Sequence, residues 1–103
     1  MSKLHWIAYI EDIKNDHCTQ DEEQVLLDIF KRQMKRTATT LARMTWFKLE
    51  DFNLSHYSDL ARDEIKHFDL IIERRIIDKQ TQWWGTFTHG DKKLEVIGTL
   101  ERD

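Results

Sequence analysis

The chain has 103 residues, a net charge of −3, no proline and three glycines. That length holds one ordinary domain and leaves no room for a second. Apolar residues make up 40% and charged residues 34%, which argues against a disordered chain and predicts a modest core under a heavily charged surface.

The acidic balance speaks against a general nucleic-acid binder. The single cysteine, Cys18, excludes an internal disulfide and fits a reducing compartment. No run is long and apolar enough to cross a bilayer. Met1-Ser2-Lys3 leads into His5-Trp6 and not into a secretory leader. The expectation is a cytoplasmic protein with no membrane partner.

In chain order, residues 4–10 (Leu-His-Trp-Ile-Ala-Tyr-Ile) are aromatic and β-branched and predict a strand covered on both faces. Residues 11–18 are polar and read as a loop. Thr19-Gln20-Asp21-Glu22 forms a capping box, in which Thr19 and Glu22 each satisfy the other's backbone amide. A helical stripe follows: Val25, Leu26, Ile29, Phe30, Met34, Ala38 and Leu41. This helix ends near Leu41, leaving Trp46-Phe47-Leu49-Phe52 as a separate aromatic turn, or runs on to about Asp51. The first stop signal is Asn53-Leu54-Ser55. A second helix is predicted from Ser55 or Ser58 to about Lys79, with Ala61, Ile65, Phe68, Ile72 and Ile76 as its core stripe.

The glycines (Gly85, Gly90, Gly98) all lie beyond residue 84, so nothing breaks a helix before them. The tail changes period, and Trp83 to Leu100 reads as a β-hairpin turning at Gly90. The predicted fold class is α+β, one domain over residues 1–103. A long antiparallel helical hairpin packs with a small antiparallel sheet made of the N-terminal strand and the C-terminal β-hairpin.

Charge comes in blocks. Residues 11–30 hold seven acids and one base, residues 31–49 six bases and no acid, and residues 50–73 seven acids and two bases. In a hairpin turning near Leu54, Arg43 meets Asp63 or Glu64 and Arg36 meets Asp69 or Glu73. The arms then neutralise each other, at roughly 0–1 kcal/mol per exposed pair. Otherwise Arg32, Arg36 and Arg43 form a basic face for phosphates or an acidic partner.

Glu64-Ile65-Lys66-His67 is a Glu-x-x-His pair, which on a helix puts both side chains on one face. Residues 60–76 around it resemble the ligand helix of ferritin-like proteins, including the tRNA-modifying di-iron hydroxylases and encapsulated ferritins. The resemblance implies Glu64 and His67 as metal ligands in a dimeric di-iron site. It requires a glutamate level with the pair on the preceding helix, where Thr40 to Met44 offer none. No cofactor is therefore predicted. Cys18, just before a helix N-terminus, sits where a thiolate is favoured.

Neighbouring residues in a strand face opposite ways, so one of Trp83 and Trp84 is expected inside and the other outside. Exposed tryptophan beside charge is a common interface anchor, and Trp46 is a second candidate. The expected function is a small non-enzymatic protein-binding module (regulator, inhibitor or adaptor) using Trp83, Trp84, Trp46, Arg32, Arg36 and Arg43, with a homodimer as one form. The alternatives are the di-iron protein and a nucleic-acid binder using the basic face.

Overall fold

The structure, a computed structural model, describes residues 5–40 and 42–102, with the backbone alone for Leu60. The elements run β1 (Trp6–Asp16), α1 (Gln20–Thr37), β2 (Met44–Lys48), a 3-10 turn (Leu49–Asp51), α2 (Asp59–Ile65), β3 (Asp69–Ile77), β4 (Gln80–His89) and β5 (Lys92–Arg102). The strands form one antiparallel sheet in the order β1-β5-β4-β3-β2. The first strand thus closes against the last. α1 carries the chain from one edge of the sheet to the other and packs on β1, β4 and β5.

The capping box starts α1 as its residues dictate: the Glu22 amide donates to Thr19 Oγ1, and the Thr19 amide donates to Glu22 Oε1. Leu26, Ile29, Phe30 and Met34 on the helical stripe are buried against the inner face of the sheet. Leu41, the last residue of that stripe, lies outside the described residues. Gly85 and Gly98 make the contact possible. A Cβ at Gly85 would stand 2.5 Å from the Phe30 ring, and one at Gly98 would stand 2.8 Å from Met34 Sδ. Their missing side chains let the helix settle onto β4 and β5. Leu49, Leu54, Ile65 and Phe68 extend the core past the sheet.

The long helical hairpin is not there. α2 is a seven-residue helix that stops at Ile65, and the rest of the predicted second arm is β3. The reason lies in the spacing. Phe68 and Ile72 are four apart, which suits both a helical stripe and a strand face. The deciding residue is Leu70, fully buried between them, so the run 68, 70, 72 has period two. Ile76, expected in the core, is 75% exposed.

The first arm also ends early, at Thr37. Trp46 and Phe47 belong to strand β2, not to an aromatic turn or a continued helix. β1 extends through residues 11–16, which the sequence presents as loop, because Lys14 and Asp16 lie opposite Glu95 and Lys93. It is an edge strand with Ile7, Tyr9 and Ile13 exposed, so it is not covered on both faces. At the other end, Gly90 takes φ +59 and closes the β4–β5 hairpin.

The arm-to-arm charge pairing fails with the hairpin. Arg43 lies beside β3 with its carbonyl accepting from the Arg74 amide, and Glu73 pairs with Arg75 at 2.6 Å. Among the described residues, no helix is long and apolar enough to cross a membrane.

Candidate protein-interaction site

Antiparallel pairing places residues that face each other across the ladder on the same side of the sheet. Leu70, Ile72, Trp83, Phe87, Leu94 and Val96 are buried, which assigns the inner face to α1. Their strand neighbours form the outer face. One row across it runs Trp46, Ile71, Thr86, Glu95, Lys14, and the next runs Met44, Glu73, Trp84, Ile97, Asp12. No described element covers this side.

Trp83 and Trp84 divide as strand neighbours must. Trp83 is 6% exposed on the inner face, and its Nε1–H meets no acceptor among the described residues. Trp84 is half-buried on the outer face. The Arg75 guanidinium lies 4.1 Å from the centre of its ring, and its Nε1 donates to Gln82 Oε1. Trp84 therefore already has local partners. Trp46 has no such partner among the described residues and is 70% exposed, with Met44 beside it at 50%.

β2 is also an edge. Arg43 Oand Leu49 N bond into β3, the first accepting from Arg74 N and the second donating to Phe68 O. With the alternation of an antiparallel ladder, Arg43, Thr45, Phe47 and Leu49 turn their backbone groups towards β3. Met44, Trp46 and Lys48 turn theirs outward. The side chains of these same three residues stand on the outer face. The edge thus offers backbone donors and acceptors together with an exposed tryptophan.

The remaining candidates scatter. Arg32 and Arg36 line a groove of about 370 Å3 between α1 and the segment after β2. Arg32 is held by Asp28 at 3.3 Å and His56 at 3.0 Å, and Asp51 lines the same groove. Arg43, just before β2, does not line this groove. Glu64 and His67 do not share a helical face, because α2 ends between them. Glu64 is an exposed neighbour of Lys92 at 3.9 Å, and His67 stacks on His89 with ring centres 5.3 Å apart. Among the described residues, no group of three or more His, Cys, Asp or Glu side chains is placed to hold a metal ion.

A second cleft, about 720 Å3, opens between α1 and α2. Two of its polar groups have partners. Lys92 Nζ is 2.8 Å from Glu22 Oε2, and the Tyr57 hydroxyl donates to Asp28. Burial first, and then the bond to Asp28, push the Tyr57 hydroxyl up to about 12. Burial also pushes the Cys18 thiol up, with Glu22 adding to the effect, so the thiolate expected at the helix start is disfavoured.

Sequence reasoning named Trp46 but missed the strand that presents it. The missed signal is Met44-Thr45-Trp46-Phe47-Lys48 itself, whose alternation puts Thr45 and Phe47 on one side and Trp46 on the other. Compared with protein families, characterised proteins and solved structures, the chain matches none.

Proposed function

We propose that this chain is a small non-enzymatic protein-binding module acting through the outer face of its sheet at the β2 edge. The observation that carries this reading is Trp46, 70% exposed at the centre of a strand with no described element over it. Burying such a ring is worth about 1.5–3 kcal/mol or more, and tryptophan is enriched among residues that dominate binding. Met44 continues the apolar patch, and Ile71 lies opposite Trp46 on β3. Charged residues surround it, in the manner of a polar rim around an anchor. The setting we propose is cytoplasmic, in line with the unpaired thiol of Cys18.

The test is replacement of Trp46 by alanine. Because the ring is exposed, Trp46→Ala should change unfolding free energy by less than about 0.5 kcal/mol. Recovery of native-host proteins on the immobilised chain, compared between wild type and variant by mass identification, should lose its specific partner. A partner retained unchanged by the correctly folded variant refutes the reading.

A further inference from the structure

The two edges of the sheet are built differently. β1 carries a bulge between Ile10 and Asp12 and a run of charge at Glu11, Asp12, Lys14 and Asp16. Bulges and charges are the usual means of keeping an edge from pairing with another chain. β2 pairs with β3 without a break from Met44 to Lys48, and no described strand lies on its other side. Resting on the reading of this edge as an interaction site, we infer that its occupant is a second copy of the chain, the two β2 strands pairing antiparallel about a two-fold axis at Trp46.

Self-complementarity selects the second copy, beginning with the backbone. Met44, Trp46 and Lys48 turn their N–H and C=O groups outward, and Trp46 is the middle one. An axis at Trp46 matches all three: Trp46 meets Trp46 of the other copy, and Met44 meets Lys48 twice. An axis at Thr45 or Phe47 leaves one of the three opposite a residue outside the strand.

The side chains agree with the same axis. On the outer face, the central row across the seam reads Ile71, Trp46, then Trp46 and Ile71 of the other copy. Aromatic pairs directly across a ladder are among the stabilising ones. The row on either side reads Glu73, Met44, then Lys48 and Asp69 of the other copy. Lys48 forms no ion pair among the described residues. Across the seam its aliphatic stem lies along Met44, and its ammonium has an acid on each side. Asp69 is one strand away and Glu73 of the other copy is two strands away, about 9.5 Å. Arg75 turns from the seam, over Trp84. On the inner face Thr45 meets Phe47 of the other copy, which joins two half-buried residues to the buried Leu70 and Ile72. Arg43 stands on that inner side, opposite Leu49 of the other copy and away from Lys48. No base is set directly opposite a base, and no acid opposite an acid. An unrelated strand has no reason to answer this order, whereas a second copy answers it by symmetry.

The seam also closes. It uses both β2 edges, and the bulged, charged β1 edges left outside do not extend it, so the assembly stops at two. Any other protein then meets the outer face of the pair, where Trp46 and Met44 of both copies lie side by side.

Sedimentation velocity of the full chain over a concentration series reads the assembly. Five residues a side make a small interface, so a dissociation constant of about 1–100 μM is expected. Trp46→Lys sets two like charges on the axis and should weaken the dimer at least ten-fold. Circular dichroism should stay unchanged, because the position is exposed. Mild oxidation in a Cys18→Ser background reads the register. Residues paired on the axis have Cα atoms about 5.5 Å apart, within disulfide reach. Trp46→Cys should therefore cross-link to its own copy. Met44→Cys and Lys48→Cys, each about 13 Å or more from its own copy, should cross-link only when the two variants are mixed. A monomer at about 1 mM, assembly beyond two, a dimer indifferent to Trp46→Lys, or Met44→Cys cross-linking alone as readily as Trp46→Cys would each overturn the inference. A monomer that still loses its captured partner on Trp46→Ala rejects the second copy and leaves the face as the site. A monomer whose partner survives Trp46→Ala rejects both.

Discussion

Glu22 closes the cap of α1 with one carboxylate oxygen and holds Lys92 of β5 with the other, while only 5% exposed. Burial pushes its carboxyl up, but the Lys92 bond and the Thr19 cap outweigh burial and hold it below the usual range. A carboxyl lowered in the folded state adds stability above its unfolded value, about 4.3, and loses it as pH falls through the folded one. Glu22→Gln should therefore be about 1 kcal/mol less stable at pH 7, since Lys92 keeps access to water. The gap between variant and wild type should close below about pH 4, as urea unfolding across that range will show. Trp83 presents the reverse case. Its orphan Nε1–H carries a desolvation cost of about 1–3 kcal/mol. Trp83→Phe removes that cost along with some packing, so it should destabilise by less than about 1 kcal/mol, against about 3–5 for an ordinary aromatic truncation in the core.

At the scale of elements, the helix and the sheet meet through absent side chains. Gly85→Ala drives a methyl into the Phe30 ring and should cost about 1–3 kcal/mol in urea unfolding. Phe30→Leu in the same chain should recover part of that loss, which a simple backbone effect would not allow. Gly98→Ala should also destabilise, because its methyl meets the Phe30 ring as well as Met34 Sδ, each at 2.8 Å, and only the methionine is flexible enough to move aside. The elements differ in how openly the sequence declares them. α1 has a local start signal and a stripe that only a helix satisfies. β3 has Phe68 and Ile72 at a spacing two periods share, and the helical capping residue Ser58 just upstream does cap a helix, the short α2. Reading onward from that cap carries the helix through residues that pair as a strand.

Across the whole molecule, β1 pairs with β5, so Trp6 lies opposite Arg102. Closing nearly the full chain is slow, and sheets rich in distant contacts fold in about milliseconds to seconds. With no proline in the sequence, there is no prolyl isomerisation to add a phase of tens of seconds. Stopped-flow refolding followed by tryptophan fluorescence should show the fast phase without that slow one. The same topology leaves β2 at one edge and β1 at the other, and the two edges differ in regularity: β1 carries a bulge between Ile10 and Asp12, and β2 pairs without a break from Met44 to Lys48.

The sequence by itself determined what local chemistry controls. The Thr19–Glu22 cap, the buried stripe from Leu26 to Met34, the turn at Gly90 and the opposed faces of Trp83 and Trp84 each depend on neighbours within a few residues. Only the tertiary structure decided the fate of residues 43–48 and 68–77. Their apolar spacing fits a helix or a strand, and pairing with distant partners settles it: Trp46 with Ile71, and Ile72 with Gly85. That pairing also took Arg43 away from Arg32 and Arg36, ended the helix before His67, and set Trp46 on an open edge. Strand partners come from far along the chain, and no local spacing specifies them.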